Sequence, residues 1–478
     1  MALKVLPWHG LLPKTVYREG KMLDVLVIGC GASGMMAAIS AARTGAITGI
    51  LEGGEKPGKK LLLTGNSRCN LTNLDFDPDH LYLSEDEEWR KKITDSVFSQ
   101  FSVTDTLNFF HGIGLQTMVE HRSYVYPSTG QSRSVLKLLL LELRRLHVEI
   151  HFQEKVLSLR RRTSPQHGGI WLAETERGAF SARSVILAAG SSASPLTGSD
   201  GSGYLLARKL GLSLVEPLPS LTGIRCSLIG QKSRAVRVQA ESLPRKKRKG
   251  RSRQKGAESM DLLSSLAGLR MNAKVSAFSA GRLLAEDSGQ IQWTQSDLSG
   301  IVTFQVSQTV TRALSRGQDV ELSLDLLPAL NREELSSSLR KLSSRNLDLT
   351  VEELLLGFLP ALMIPVVLST LPESLSLRKS GSLTEADFQS ISRALKALRL
   401  KALSVRGFDS CQVCAGGVSL SELNPLSLEA ERSALQGLYL AGELLDLDGP
   451  CGGYNLQWAW SRGWTAGKHA GISAGSGD

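Results

Sequence analysis

Disulfide frameworks, metal clusters and membrane spans all lack material in this sequence. Six cysteines, at positions 30, 69, 226, 411, 414 and 451, are spread over 478 residues. That is too sparse for the cross-linked scaffold of a secreted domain and fits a reducing, cytoplasmic setting. The eight histidines form no spaced pair, and the cysteines lack a second ligand pair, so no metal site is expected. Long apolar runs are missing too. The most apolar one, Leu354 to Leu371, is interrupted by Gly357, Pro360 and Pro365. A span needs ~20 apolar residues, so a buried or cleft-lining helical piece is expected and no membrane partner. Residues 1–21 carry Lys4, His9, Lys14, Arg18 and Lys21, broken by Pro7 and Pro13. They read as a short N-terminal arm rather than a secretory leader.

Acidic balance is lacking as well: the net charge is +10. Its location decides its meaning. Residues 245–255, RKKRKGRSRQK, hold eight positive charges and no acid. The excess is therefore one local loop, not a field spread over a binding face. A solvated loop is expected there, with nucleic acid as the alternative partner.

What is present begins at residue 24. Val25–Ile28 is an apolar run of the kind buried on both faces of a sheet. It breaks at Gly29-x-Gly31-x-x-Gly34, resumes as a small-residue helix from Met35 to Thr44, and ends a second strand at Leu51-Glu52. Each glycine serves a separate purpose. Gly29 allows the tight turn, Gly31 lets a pyrophosphate approach the backbone, and Gly34 lets helix and strand pack closely. The helix start, with Ala32 and Ser33, offers unpaired N–H groups to the phosphates. Glu52 can accept both ribose hydroxyls and disfavours a 2′-phosphate. This is a dinucleotide site. No second strand–GxGxxG–helix is visible; Gly201-x-Gly203 has no strand immediately before it.

The other end of the chain supplies partners for the far end of a long cofactor. Leu438–Leu440 is a buried strand leading into Ala441-Gly442-Glu443, and Gly452-Gly453-Tyr454-Asn455-Leu456 opens a helix. Glu443 can bind flavin ribityl hydroxyls. The Gly452-Gly453 turn aims a helix N-terminus at the flavin N1–O2 edge, where negative charge develops on reduction. The cofactor is thus expected to be FAD.

Between these ends, Lys59–Asn73 (KKLLLTGNSRCNLTN) reads as a polar run of turn formers. It resembles the GKKLLLTGxGRCNLTN signature of bacterial aminoacetone-oxidase-like, NAD(P)/FAD-dependent oxidoreductases, with Asn66 and Ser67 where small residues are common. That family includes a gut bacterial 3-dehydro-bile-acid Δ4,6-reductase. Residues 441–459 are similar to its AGExLDxDGxxGGYNLQxA motif, and Tyr124–Ser128, Thr197–Leu210 and Trp293–Gly300 match further elements. The resemblance spans roughly residues 22–472. It implies cofactor contacts at Lys60, Leu61, Thr64, Gly65, Asn66, Ser67, Arg68, Cys69, Asn70, Val156, Gly190 and Asp448 besides those above. It also implies NAD(P)H as electron donor and a small apolar, steroid-like substrate. A flavin-dependent amine oxidase and a flavin protein acting on nucleic acid through 245–255 stand as alternatives. Tyr126, Tyr204, Tyr454 and Arg68 are candidate proton donors or oxyanion stabilisers.

The expected architecture is α/β: a two-dinucleotide-type, Rossmann-like FAD domain, discontinuous at 22–212 and 408–472, with a tail at 473–478. An inserted β-barrel spans 213–330, from short runs at Leu221–Leu228, Ala235–Val238, Lys274–Ala277, Ile291–Thr294, Ile301–Val306 and Val320–Leu324. A helical lid spans 331–407. In the first domain, Val148–Phe152, Val156–Arg160 and Gly169–Ala173, with a return at Ala179–Ala182, read as a meander before the buried run Val185–Gly190. Cys411-x-x-Cys414 lies along an apparent strand, where alternate side chains diverge. A dithiol–disulfide reductase is the runner-up enzyme reading, disfavoured by that geometry and by the missing second strand–GxGxxG–helix.

Overall fold

A computed structural model of the chain describes residues 22–164, 168–229 and 262–475. The basic run 245–255 and the expected strand Ala235–Val238 lie outside the described residues. Two units are present, one from residues up to Leu221 and from Gly407 onward, the other Thr222–Arg406.

The first unit is built on a seven-stranded sheet. Its opening elements are β1 (Leu23–Ile28), α1 (Ala32–Arg43), β2 (Thr48–Glu52) and α2 (Lys59–Ser67). They are followed by β3 (Glu149–Phe152), β4 (Val156–Ser164), β5 (Gly168–Thr175) and β6 (Ala179–Leu187). The chain returns with β7 (Leu438–Leu440) and the long helix α3 (Tyr454–Gly475). The order is β3-β2-β1-β6-β5-β4, with β7 off this path, paired with the second half of β6 on the edge opposite β1. Val25, Leu26 and Val27 of β1 and Val185, Ile186 and Leu187 of β6 are fully buried. Both faces of these parallel strands are covered, which is why their sequences run apolar without alternation.

Two details differ from the sequence reading. Glu149–Phe152 is not part of a meander but pairs in parallel with β2, as Gly49↔Glu149 to Glu52↔Phe152. The return strand and the buried run are one strand, β6. Its first half pairs antiparallel with β5, and its second half runs parallel to β1 and β7. Arg183-Ser184 sits at the changeover, and that polar pair breaks the pattern in the sequence.

Helices α1 and α3 pack along a row of glycines. A Cβ at Gly463 would stand 2.4 Å from Ser33 O, at Gly467 2.1 Å from Ala37 O, and at Gly471 2.3 Å from Thr44 Oγ1. The four-residue spacing keeps the bare backbone on one helix face, so the two helices approach closely.

The second unit has its own core around a closed six-stranded barrel. Its strands are Ile224–Leu228, Arg270–Ser279, Arg282–Trp293, Asp297–Ser299, Val320–Asp325 and Leu398–Val405. Leu214–Ser220, assigned from sequence to the barrel region, instead pairs with Val413–Val418 in the first unit. Leu398–Val405, assigned to the helical segment, closes the barrel, and its Leu398, Leu400 and Ala402 are buried while Arg399 and Lys401 are exposed. That alternation has the strand period. Ile301–Val306 is not a strand but the start of a helix, Ile301–Ser315. Val302, Val306 and Val310 are buried four residues apart, so tertiary packing overrides their β-branched preference. Leu354–Leu371 is divided among Val351–Leu355, a 3₁₀ turn at Ala361–Met363 and Ile364–Ser369. Among the described residues, no helix is long and apolar enough to cross a membrane.

Candidate functional site

The glycine turn after β1 has the shape its sequence requires. Gly29 has φ +106°, and a Cβ there would meet Ala188 O at 2.4 Å. A Cβ on Gly34 would overlap Gly29 O at 1.9 Å, whereas at Gly31 nothing lies within 4 Å. Gly31 is the N-cap of α1 and makes no side-chain cap bond, so the first N–H groups of the helix face an open cradle. Ser33 Oγ beside them is buried without a partner. An uncapped helix start with room before it and an orphaned hydroxyl fits a pyrophosphate.

Glu52 closes β2 and is held from both sides. Its Oε2 accepts from Cys30 N–H at 2.9 Å and its Oε1 from Gly54 N–H at 2.7 Å. The carboxylate is thereby fixed under the turn, with lone pairs left for ribose hydroxyls. Burial, and then Glu52, push the Cys30 thiol well up, so it stays protonated. Val156 is placed nearby by backbone pairing, since Glu154 N–H donates to Glu52 O at 3.0 Å and Gln153 N–H to Gly54 O at 3.1 Å.

The polar run after Glu52 is not a plain loop. Lys59–Ser67 is helical at its start, then breaks where Thr64 turns extended and Gly65 and Asn66 adopt φ of 55° and 56°. Ser67 and Cys69 are also left-handed, at 65° and 61°. Each such non-glycine residue costs on the order of 1 kcal/mol, and such strain clusters at ligand-gripping turns. The turn closes on itself, Arg68 N–H donating to Gly65 O at 3.2 Å and Cys69 N–H to Thr64 O at 3.0 Å. Asn70 beside them is buried with an orphaned Oδ1. Leu61 and Cys69 are buried, and desolvation pushes the Cys69 thiol up to about 12, so Cys69 serves packing.

The two ends of the chain meet here. A Cβ on Gly442, φ +80°, would touch Ser33 Cβ at 3.1 Å, so the end of β7 abuts the start of α1. Glu443 forms an ion pair with Lys60 of α2 and accepts from Ser191 Oγ at 2.9 Å. Gly190 (φ +78°) leads into Ser191, and Ser199 Oγ pins that turn through Ser191 N–H at 3.0 Å. Gly452 and Gly453 have φ of +119° and +98°, and a Cβ on Gly453 would meet the Thr72 carbonyl carbon at 2.6 Å.

Not every expected contact is free to touch a cofactor. Asn455 latches its own loop, accepting from Gly449 N–H at 2.9 Å and donating to Gly449 O and Pro450 O. Asp448 is buried and accepts from Ser220 Oγ at 2.9 Å. Both side chains shape the site rather than face it. Leu456 packs against the core of the first unit.

The four catalytic candidates separate into three places. Arg68 and Tyr126 come together, the guanidinium lying 4.3 Å from the ring centroid. Arg68 is also clamped by Glu120 through a two-bond pair, with Nη1 2.9 Å from Oε2. Glu120 holds it charged, so Arg68 is a fixed cation and not an acid. Tyr204 is buried near Glu443 O, and desolvation raises its hydroxyl well above the phenol range. Tyr454 donates to Asp75 O at 2.8 Å, and burial pushes it up to about 12. Its ring stacks on Phe76. Its hydroxyl is engaged in the scaffold, which removes it as the proton donor expected from sequence.

The structure adds residues that the sequence left out. Ser191 bonds Glu443, and the only sign of it was the Ala-Gly-Ser run after β6. Arg462 is wholly buried, donates to Gly442 O at 3.0 Å and lies over the Trp458 ring. Cys411 and Cys414 do not diverge. Cys411 precedes the strand Val413–Val418, in a bend where its thiol donates to Phe408 O at 3.6 Å, and it shares a small buried cluster with Cys414.

The chain is similar to known proteins over most of its length. The family model of the HI0933-like protein Rossmann domain matches residues 23–469. The 3-dehydro-bile acid delta(4,6)-reductase of Clostridium scindens is 39% identical over 453 residues, covering 93% of this chain and 98% of the reductase. The ribosomal RNA dihydrouridine synthase of Escherichia coli is 26% identical, covering 92% of this chain and 96% of that protein. Among solved structures, a 3-ketosteroid-delta4-(5alpha)-dehydrogenase from Rhodococcus jostii superposes with TM-score 0.43 at 16% identity. It covers 97% of this chain and 99% of its own.

Proposed function

The chain belongs to the HI0933-like family and is an FAD-dependent oxidoreductase, and within that class we propose an NAD(P)H-driven reductase of an activated C=C in an apolar, steroid-like enone. The observation that carries this reading is the likeness to the bile-acid reductase, which covers 93% of this chain and 98% of that one. When bound, FAD supplies the hydride chemistry, from NAD(P)H to the β-carbon of the enone.

The residues of this chain supply position and charge. The open cradle at Gly31 and the α1 start would take the pyrophosphate, and Glu52 the adenosine ribose. Glu443, oriented by Lys60 and Ser191, would take the ribityl hydroxyls. The start of α3 and the Gly452-Gly453 turn would face the edge that becomes negative on reduction. Of the four candidates, Tyr126 best suits the proton delivered to the α-carbon. It is half-buried, on a short strand (Tyr124–Pro127), and Arg68 stabilises the phenolate left behind.

A second reading takes uracil in RNA as substrate, whose C5=C6 bond is likewise conjugated to a carbonyl. The basic run 245–255 and the likeness to the ribosomal RNA dihydrouridine synthase favour it. Anaerobic mixing of the reduced holoenzyme with a 3-oxo-Δ4,6 steroid or with uridine-containing RNA tests both. Rapid reoxidation by the steroid alone supports the first reading, and by the RNA alone the second.

A further inference from the structure

Cys411 and Cys414 are the chemistry-bearing pair that the reductase reading leaves unused. They share a small buried cluster with Ala193, with Phe408 packed against it. Both are free thiols. The bend at Phe408–Cys411, closed by Ser410 N–H on Gly407 O, carries Cys411 out of the strand direction. Ser194 Oγ donates to Cys411 O at 3.1 Å and holds the bend.

Cys414 is placed differently from its partner. The Cys411 thiol, the Ser191 hydroxyl and the Lys60 charge lie near its sulfur. These bring the Cys414 thiol down against the opposing effects of burial and the Glu443 charge, while neighbouring Cys414 and burial raise the Cys411 thiol. Cys414 is the more acidic of the two, the asymmetry of a nucleophilic and a resolving cysteine. Ser191 and Lys60 are the same groups that bind Glu443, so the pair adjoins the ribityl end of the cofactor site.

We propose that Cys411 and Cys414 form a peroxide-oxidisable dithiol that closes to an intramolecular disulfide beside the flavin site. The oxidant is hydrogen peroxide, the two-electron product of dioxygen at a reduced flavin. The Cys414 thiolate attacks one peroxide oxygen, the O–O bond breaks, and hydroxide leaves with the proton from Cys411 as water. Cys414 is then a sulfenic acid. The Cys411 thiolate attacks it, the S–O bond breaks, the S–S bond forms, and hydroxide leaves, taking back from solvent the proton that Cys414 lost on ionising, as a second water. In sum, two thiols and one peroxide give one disulfide and two waters. The step needs no enone and is independent of the substrate reading.

The test is peptide mapping of the FAD-loaded protein after exposure to hydrogen peroxide, quenched in denaturant with excess alkylating agent. Cys451, half-exposed, is the internal comparator, since exposure alone would make it react first. The expected result is a peptide containing both Cys411 and Cys414, lighter by two hydrogens and unalkylated, formed before Cys451 changes and reversed by dithiothreitol. In Cys411→Ser, dimedone should trap a sulfenic acid at Cys414; in Cys414→Ser, Cys411 should stay reduced. Full alkylation of Cys411 and Cys414 while Cys451 oxidises would overturn the proposal. So would stepwise oxygen addition on both sulfurs without the cross-link. The wild-type map alone decides if a variant fails to fold.

Discussion

The Lys60 ammonium and the Glu443 carboxylate form an ion pair across 383 residues of sequence. One is carried by the helix after the acidic strand end, the other by the turn after the returning strand. Both are about a quarter exposed, so the pair sits at the wall of the site rather than deep in the core. Ser191 adds a third point to the same carboxylate. This triangle fixes the carboxylate next to Gly442, which abuts Ser33 at the start of α1.

Neutralising either partner should loosen the cofactor more than the fold. Glu443→Gln and Lys60→Met are each expected to raise the Kd for FAD about tenfold or more, about 1.4 kcal/mol per tenfold. Fluorescence titration of the apoprotein measures this. An unchanged Kd in both variants would remove Glu443 from the site.

Tyr126→Phe should separate the two half-reactions. Flavin bleaching by NAD(P)H is expected to keep its rate, while reoxidation by the enone falls about 10²-fold or more, the usual worth of a positioned acid. Stopped-flow single turnovers read each half. Arg68→Met should slow the second half as well, because the phenolate loses the cation above its ring.

Gly467→Ala should destabilise the first unit. The new Cβ would come 2.1 Å from Ala37 O, a backbone atom that cannot swing away. Overpacking of this kind costs about 1–3 kcal/mol. Gly475→Ala, with nothing within 4 Å, should stay within about 0.5 kcal/mol of wild type. Thermal or urea melts of the two variants compare them directly.

Acid stability should depend on Glu142. Arg145 and Arg43 hold its carboxyl down at about 2, against an ordinary value near 4.5. A depressed folded-state value means the unfolded chain takes up the proton first. The stabilisation is therefore full above about pH 4.5 and is lost as pH falls toward 2. Glu142→Gln should flatten the acid limb of a stability–pH curve over that window, and leave its slope near neutrality alone.

What the sequence discloses follows from range. Gly29, Gly31, Gly34 and Glu52 act on neighbours within one strand–helix–strand unit, so spacing alone locates them. Gly442 and the Gly452-Gly453 turn are legible because one ends an apolar strand and the other opens a helix, although their contacts, Ser33 and Thr72, lie hundreds of residues away. Ser191 is not, because its partner lies 252 residues away. Ile301–Val306 misleads because β-branched residues at helical spacing also satisfy a strand reading over six positions. Tyr454 misleads differently: its position beside the turn is right, but its hydroxyl points back to Asp75. Strand geometry argues against pairing Cys411 with Cys414, yet the strand begins only at Val413, so Cys411 escapes its alternation.

One anaerobic experiment on the FAD-loaded protein decides between enone reduction and amine oxidation. NADH or NADPH is added until the yellow flavin band bleaches, and a 3-oxo-Δ4,6 steroid is then mixed in. The expected result is return of the band with one steroid double bond reduced per flavin, and loss of that return in Tyr126→Phe. A band that bleaches but does not return with any conjugated enone, while an amine substrate bleaches it without NAD(P)H, would contradict the reductase reading.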